Sequence, residues 1–480
     1  MSFLKKLSLL AVAVICSLPL LDIHAAAGGI NDYVLDSDGK TQIPTPITHL
    51  ASDLISDLGP KGGILRNPSD FFIDQNDNIF IADTDNNRIV KLDKEGNFLF
   101  EYTDGGRLSA PEGVFAGKGG DIYVSDTLNE RIVHLDEKDN LIEEFIKPVS
   151  DMLDESMNFQ TGRIAINPQG YIYIIKGQQF MTIDAQNEFK GYVGANKLGF
   201  SLIRILKRTF ASKEQRERQT KDKPIDYFSF DIGGDGTIYA TTAETAAGQI
   251  RVINAVGENI YPEKVYGEKY YNDHIKSYNS PRFIDIAADA DGIIYVLEQY
   301  SSKIYTYDRE GNLLAVFGGR GDVKGYFEGA KAIEVNSKGD VFVLDSSKGY
   351  IHKFIRTDFM NSVANALYVY ESGDYESARQ NWEKVLQIDV NYPPANNGMG
   401  QISQKQGDYR EAMKYFKLAG NPGGYSNSFS EARYSSFRAG FGWIVLIAAI
   451  LAAGIVLGIR FLKRRADMTV MNYFGGKRRN

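Results

Sequence analysis

Cysteine is almost absent from this chain, because Cys16 is the only one in 480 residues. A disulfide-stapled scaffold and a cysteine-ligated metal site are therefore excluded. Histidine is also scarce, with five residues, and none of them forms a His-x-His or HExxH pattern. There is no basic surplus either, since the formal net charge is −7. This acidic balance argues against a nucleic-acid-binding protein.

The rest of the composition is that of a folded protein rich in turns. Hydrophobic residues make up 43% and charged residues 24% of the chain, which are ordinary values for globular proteins. There are 47 glycines against 14 prolines, together with 28 tyrosines and 27 phenylalanines. Such a composition indicates many tight turns between aromatic-rich strands.

Each end of the chain carries an apolar segment with charged flanks. Lys5 and Lys6 precede an apolar run over residues 7–21, and small residues follow at Ala25 to Ala27. This order predicts a signal peptide over residues 1–27 that is cleaved after export. Near the other end, residues 439–459 contain no charge, and a basic stretch begins at Arg460.

The second apolar segment predicts the position of the protein in the cell. A transmembrane helix over residues 439–462 has the length that a bilayer core requires, about 30 Å. The basic residues behind it favour a cytoplasmic tail over residues 463–480. We therefore expect a single-pass cell-membrane protein, with its N-terminal bulk extracytoplasmic.

The region between the two ends is repetitive. Asp83 and Arg88 in one unit, and Asp126 and Arg131 in the next, hold the same offset along the chain. Weaker copies centre near residues 172, 238, 294 and 342. Each unit reads as short alternating strands separated by turns. Six such units predict a mainly β fold, a six-bladed β-propeller.

These units resemble the NHL-repeat family of six-bladed β-propellers, over residues 67 to 354. The resemblance implies a propeller domain over residues 28–358, in which the repeated Asp and Arg are architectural. We predict that each Asp binds the Arg that starts the following strand. The sixth unit shows only three strands, so we expect the N-terminal segment Asp32 to Asp36 to supply the fourth and close the ring.

One insertion interrupts the repeats at residues 195–224. Leu198, Leu202, Leu206 and Phe210 recur there at four-residue spacing among many basic residues. A basic amphipathic helix could bind anionic lipid or an acidic partner. The alternative is a solvated helix that packs over one blade.

A different repeat follows the propeller. The run Gly373 to Ala378 recurs as Gly407 to Ala412, with aromatic residues at matching places behind it, Trp382 and Phe416. The spacing of 34 residues and the Gly-Asp-Tyr core resemble the tetratricopeptide repeat. We expect TPR-like helical repeats over residues 359–438, running on into the membrane helix. The whole chain is similar to bacterial NHL-repeat membrane proteins.

Residues that would carry chemistry are hard to find. We predict no catalytic, cofactor-binding or metal-ligating residue, and no cofactor. Glu112 and Glu328 enter blades two and six and could face the central channel, which is weak support for a metal. His134 and His352 lie on third strands, where we expect structural roles. No nucleophile elbow, Walker loop or Rossmann glycine pattern occurs.

Two functions therefore remain open. The first is a membrane-anchored binding or scaffold protein, accessory to a transporter or an envelope complex, that contacts a protein or ligand through its propeller or TPR-like surfaces. Its contact residues would be exposed charges on the helices, namely Arg379, Lys384, Arg410 and Lys414. The second is an anchored propeller hydrolase or lyase, gluconolactonase-like, with a metal in the central channel. The missing catalytic signatures favour the first function and a protein that is not an enzyme.

Overall fold

The computed structural model describes residues 32–154, 156–194, 225–272 and 276–475. The predicted signal peptide, residues 1–27, and the predicted insertion helix, residues 195–224, lie outside the described residues. So do two of the five histidines, His24 and His274.

The described strands form a six-bladed β-propeller. Three strands come first in the chain: β1 (Tyr33–Leu35), β2 (Gln42–Pro44) and β3 (His49–Ile55). Blade one contains β4 (Asp70–Ile73), β5 (Ile79–Asp83), β6 (Arg88–Leu92) and β7 (Phe98–Tyr102). Blade two contains β8 (Pro111–Ala116), β9 (Ile122–Asp126), β10 (Arg131–Leu135) and β11 (Leu141–Ile146). Blade three contains β12 (Ile164–Ile166), β13 (Ile172–Lys176), β14 (Gln179–Ile183) and β15 (Phe189–Tyr192).

The other three blades follow the same antiparallel order. The described part of blade four contains β16 (Tyr227–Ile232), β17 (Ile238–Thr242) and β18 (Ile250–Ile253), and a hairpin of β19 (Tyr270–Asn272) and β20 (Ser277–Asn279) follows it. Blade five contains β21 (Phe283–Ala288), β22 (Ile294–Glu298), β23 (Lys303–Tyr307) and β24 (Leu313–Gly318). Blade six contains β25 (Ala330–Val335), β26 (Val341–Asp345) and β27 (Tyr350–Arg356). The first strand of each blade contacts the first strand of the next, so these six strands surround the central channel.

The repeated aspartate and arginine have the architectural role that the sequence predicts. Arg88 Nε donates to Asp83 Oδ2 at 2.8 Å, and Arg131 Nε donates to Asp126 Oδ2 at 2.7 Å. Both aspartates are fully buried. The other oxygen of each accepts a backbone N–H from the segment that enters the same blade, at 2.7 Å and 2.6 Å. Each pair therefore fixes a strand, a turn and an entry segment together.

The ring is closed by the N-terminal region, but not by the segment that we expected. Strand β3 is the fourth strand of blade six, where His49 pairs with Arg356 and Ile55 with Ile351. The expected segment lies elsewhere, because Tyr33 pairs with Val316 and β1 extends blade five, with β2 outside it. The expected segment was wrong, because the chain first forms the β1–β2 hairpin on blade five. Only then does it reach the open edge of blade six, with β3.

Five helices follow the last blade directly. They are α1 (Asp358–Glu371), α2 (Tyr375–Ile388), α3 (Pro393–Lys405), α4 (Tyr409–Leu418) and α5 (Pro422–Gly475). Asp374 and Asp408 cap α2 and α4, and each carboxylate accepts a backbone N–H three residues on. The glycines before them adopt φ of 85° and 83°, which the turn between paired helices requires.

The last helix is the longest element. Within the part of the chain that the structure describes, the stretch Pro422–Met471 of α5 is the one helix that is long and apolar enough to cross a membrane, by length and composition. Its first turns pack on α4, where a Cβ on Gly424 would lie 2.6 Å from the Phe416 ring. The helix then continues without a break through the apolar segment.

Candidate functional site

The central channel is closed by one arginine. Arg163 directly precedes β12, and its side chain is 11% exposed. Nη1 donates to Asp70 Oδ1 of blade one at 2.8 Å, and Nε donates to the carbonyl oxygen of Phe230 in blade four at 2.9 Å. Nη2 donates to Glu334 of blade six. A single guanidinium therefore joins blade three to three others.

Blade five contributes a further carboxylate to this cluster. Asp285 Oδ2 lies 3.6 Å from Arg163 Nη1 and accepts the Ile333 backbone N–H at 2.7 Å. Its other oxygen accepts the Ser229 hydroxyl at 2.5 Å. We call Arg163 with Asp70, Asp231, Asp285 and Glu334 the channel cluster.

The channel cluster holds more acid than base. Burial would lower the pKa of Arg163, but the four carboxylates raise it well above its ordinary value. Burial raises the pKa of Asp70 to about 6, although Arg163 acts in the opposite direction. Burial likewise raises the pKa of Asp231 and of Glu334, against the same arginine. Four carboxylates therefore face one guanidinium, so this site favours additional positive charge, from a proton or from another cation.

A close backbone approach positions Arg163. A Cβ on Gly113 would lie 2.2 Å from the Gly162 carbonyl oxygen, so blade two can meet the start of blade three only through a glycine. The Gly162 N–H donates to the Ile175 carbonyl at 2.8 Å, and the Ile175 N–H donates back to the Arg163 carbonyl at 2.9 Å. The backbone at Arg163 is thereby fixed on both sides.

A cavity of about 450 Å³ opens on one side of Arg163, between blades one to four. We call it the cup. Its floor includes Arg163 and Asp231, and its wall includes Phe72 and Phe115, whose ring centroids are 4.8 Å apart. Lys118 lies exposed at its rim. Arg163 in its floor spans the channel by its contacts with blades one, four and six.

A larger cavity, of about 660 Å³, lies between blades three and four. Its lining includes Gly194 and Tyr227, which lie close to the two ends of the undescribed residues 195–224. We assign no function to this cavity.

The glutamates considered for a channel metal, Glu112 and Glu328, each lie near a lysine. Glu328 Oε1 lies 3.1 Å from Lys348 Nζ. Partial burial raises the pKa of Glu112, while the charge of Lys331 acts in the opposite direction. Among the residues that the structure describes, no group of three His, Cys, Asp or Glu side chains is arranged to hold a metal ion.

The described histidines are structural. His134 Nε2 lies 2.6 Å from Asp121 Oδ2, and its ring stacks on Tyr123 at 4.0 Å. His352 is buried, and its Nδ1 accepts the Gly325 N–H at 3.2 Å. His49 is buried and stacks on Phe317, with centroids 4.2 Å apart.

The helices share one hydrophobic core with the propeller. Phe317 and Phe354 of blades five and six belong to the same buried cluster as Phe359 and Tyr392 of the helical region. The Tyr392 hydroxyl donates to the Leu314 carbonyl at 2.7 Å. The helices are therefore fixed on the propeller rather than tethered to it.

Polar contacts surround this shared core. Arg309 Nη1 donates to Glu371 Oε2 at 2.5 Å, and Gln401 Nε2 donates to Glu310 Oε2 at 2.6 Å. Both contacts join blade five to the helices, so the rim of the shared core is held at two separate places.

One predicted contact residue on the helices is not free. Arg379 is 18% exposed, and its Nη2 lies 3.3 Å from Glu411 Oε2 and 3.2 Å from Ser403 Oγ. It joins α2 to α3 and α4, so the expectation of an exposed partner contact was wrong for Arg379. Lys384, Arg410 and Lys414 are exposed.

Sequence reasoning missed the channel cluster. Its members lie on or beside the first strands of five different units, and their sequence separations carry no period. The available signal was an ionisable residue inside apolar inner strands, as at Asp285 in Phe283–Ala288 and Glu334 in Ala330–Val335. Such residues must find partners when they are buried.

The fold and the channel define a six-bladed β-propeller with helices fixed on its last two blades. No protein-family model matches the chain, and no curated protein matches it. Among solved structures, the chain is similar to a streptogramin B lyase at 16% identity and a TM-score of 0.39, covering 67% of this chain and 85% of that one.

Two other solved structures show the same level of similarity. A catalytically inactive virginiamycin B lyase from Staphylococcus aureus, solved with quinupristin, is 15% identical with a TM-score of 0.38, over 66% of this chain and 84% of that one. The β-propeller domain of Myceliophteria thermophila Cps50 (Swd1) is 11% identical with a TM-score of 0.40, over 64% of this chain and 100% of that one. Similarities this low do not inform the function of this chain.

Proposed function

We propose that this chain is a membrane-anchored, extracytoplasmic binding protein, in which NHL-type blades and TPR-like helices form one rigid recognition unit. The observation that carries the proposal is the shared core. Tyr392 and Phe359 pack at 5.1 Å within it, and Tyr392 also binds the backbone of blade five. Because α5 packs on α4, the recognition surfaces keep a fixed relation to the start of the membrane helix.

The channel cluster favours binding over metal-dependent hydrolysis. In a propeller lactonase, channel carboxylates and amides would hold the metal. Here the channel carboxylates Asp70 and Glu334 both accept hydrogen bonds from Arg163, which already supplies a positive charge at that level. These residues do not fit a resident divalent ion, because two cations would compete for the same carboxylates.

The exposed charges on α2 and α4 provide the test. We expect in-cell cross-linking of the full chain to give a discrete adduct with a membrane or envelope protein. The triple variant Lys384→Glu, Arg410→Glu, Lys414→Glu should lose this adduct, since charges at an interface rim control encounter. The control is Lys94→Glu, an exposed lysine in the turn between β6 and β7 of blade one and outside the helices, which should keep it.

Two results would overturn the proposal. One is a folded triple variant with unchanged adducts in every preparation. The other is purified full chain that contains a stoichiometric divalent metal and hydrolyses lactones in a manner that requires Glu112 or Glu328.

A further inference from the structure

The wall and the floor of the cup differ in chemistry. The wall is mainly apolar and aromatic, with Phe72 and Phe115 partly exposed to the cavity. The floor is ionic, because the channel cluster lies directly beneath. A ligand that fills the cup must therefore present an apolar body to the wall and a polar end to the floor.

Asp231 is the one carboxylate of the channel cluster that lines the cup. Asp70, Asp285 and Glu334 are buried, at 5%, 2% and 5% exposure, whereas Asp231 is only partly buried and lines the cavity. Asp231 accepts the Ile232 N–H at 2.7 Å and the Ala288 N–H at 3.0 Å. These two bonds hold the carboxylate in place and leave lone pairs on each oxygen for a further donor.

The remaining charged groups of the cup are already engaged or lie at its rim. Arg163 donates to Phe230, Asp70 and Glu334, so its charge is offset by carboxylates. Asp121 binds His134 at 2.6 Å. Asp74 accepts N–H groups of its own turn at 2.8 Å.

We propose that the cup binds a small organic cation, an amine with an apolar body, whose ammonium group pairs with Asp231 and whose body packs against Phe72 and Phe115. This inference rests on the proposed binding function and names a ligand class for the propeller. The excess of carboxylates over guanidinium in the channel cluster favours positive charge at the floor. The aromatic rings of Phe72 and Phe115 in the wall favour a cation as well.

The test compares three probes of one shape and different charge. The full chain in lipid nanodiscs is titrated calorimetrically with 2-phenylethylammonium, 2-phenylethanol and 3-phenylpropionate, and empty nanodiscs provide the blank for partitioning into lipid. We expect the cation to bind at least tenfold more tightly than the neutral or the anionic probe.

Variants assign the binding to the floor of the cup. Asp231→Asn keeps an oxygen for a backbone N–H and removes the charge, so it should weaken cation binding at least tenfold and leave the alcohol unchanged. Asp121→Asn, a matched control on the cup wall, should change cation binding less than twofold. Lys118→Gln should strengthen it, and Phe115→Leu should weaken all three probes, so these variants test the site even if Asp231→Asn does not fold.

Three results would overturn the inference: no binding of any probe to the folded full chain, equal or tighter binding of the anion, or unchanged cation binding by folded Asp231→Asn. The proposed function is tested separately on the helices. Loss of amine binding with intact cross-links would remove only the ligand assignment, whereas the reverse would remove only the scaffold role.

Discussion

Arg163 of blade three donates to Asp70 of blade one at 2.8 Å, although blade two separates their strands around the ring. Most contacts in a propeller join neighbouring blades, and this ion pair crosses the channel instead. Outward movement of blade one or of blade three must break it, so the pair couples the stability of two blades that are not neighbours in the ring.

The first prediction concerns the removal of this arginine. Arg163→Met should lower the free energy of unfolding by about 3–5 kcal/mol, because buried carboxylates lose their counter-charge. The pKa of Asp70 is already raised to about 6, above its unfolded value of about 3.9. In the variant, folding must hold protons on these carboxylates, so stability falls further as the pH rises through and above that window.

Apparent melting temperatures of the full chain at pH 5 and pH 8 provide the measurement. The control is Arg309→Met, which removes an ion pair to Glu371 that is 52% and 36% exposed and should cost less than about 1 kcal/mol. A loss at Arg163 that is the same at both pH values would contradict the prediction.

The second prediction compares two glycines, Gly113 and Gly162, that lie next to each other in the fold but have different surroundings. Gly113→Ala should destabilise the propeller by about 1–3 kcal/mol, because its Cβ would lie 2.2 Å from a backbone oxygen of residue 162. Gly162→Ala is the matched control, since the nearest atom to its Cβ is 3.6 Å away. Urea denaturation of both variants should therefore rank them, and equal midpoints would rule out the close approach as the reason for glycine at 113.

The third prediction concerns ring closure. Replacement of residues 49–55 by a Gly-Ser linker of equal length should expose the edge of β27, lower the melting temperature and cause association through that edge. The same replacement at residues 33–35 removes buried Tyr33 and Val34 and uncovers β24 at a single paired position, Val316, but leaves blade six complete. The 33–35 variant should melt at a lower temperature than wild type but should not associate. Light scattering of the full chain in nanodiscs or detergent measures the association. A monodisperse 49–55 variant would show that β3 does not protect the edge.

The fourth prediction is a pH dependence at His49. Burial, and then the charge of Arg356, lowers the pKa of His49 well below 6.5. The unfolded chain binds the proton more readily, so the contribution of His49 to stability is present above about pH 6.5 and is lost as the pH falls toward the folded pKa. His49→Phe keeps an aromatic ring against Phe317 and cannot be protonated.

The difference between wild type and His49→Phe isolates this residue, because carboxylates with raised pKa contribute equally to both proteins. Relative to wild type, the variant should gain stability between pH 7.5 and pH 5.5. A constant difference in melting temperature over this range would contradict the prediction.

The fifth prediction is the orientation of the chain in the membrane. Protease added to intact cells should remove the propeller and spare residues 463–480, as the basic flank favours. Substitution of Lys463, Arg464 and Arg465 by glutamate should weaken this orientation. A protected propeller with a cleaved tail would reverse the assignment.

The sequence predicted contacts within one repeat well, and it predicted contacts between distant blades poorly. The pairs of Asp83 with Arg88 and of Asp126 with Arg131 follow from a turn and the strand behind it, which a single repeat contains. The helix caps Asp374 and Asp408 are equally local. The sequence predicts closure by residues 32–36 because it shows that blade six lacks a fourth strand. It does not show that the β1–β2 hairpin comes before the strand that closes the blade.

The channel cluster illustrates the same limit at the candidate site. Arg163 meets Asp70 and Glu334 only when the ring has closed, with sequence separations of 93 and 171 residues. No spacing rule links such residues, so the cup and its floor become visible only in three dimensions. The expectation that Arg379 is exposed was wrong for a similar reason. Its contacts come from Ser403 of α3 and Glu411 of α4, which follow it by 24 and 32 residues.

The pairing of β3 with β27, which closes the ring, also affects how the propeller resists a pulling force. Strand β27 ends at Arg356 and α1 begins at Asp358, so tension applied to the chain through the helices would reach the propeller at β27. That strand is bonded on both sides, to β26 and to β3, with six paired positions on the β3 side. A pull along its length loads these bonds together rather than one after another. Strand β3, which completes the ring, therefore also holds β27, the strand that connects the propeller to the helices.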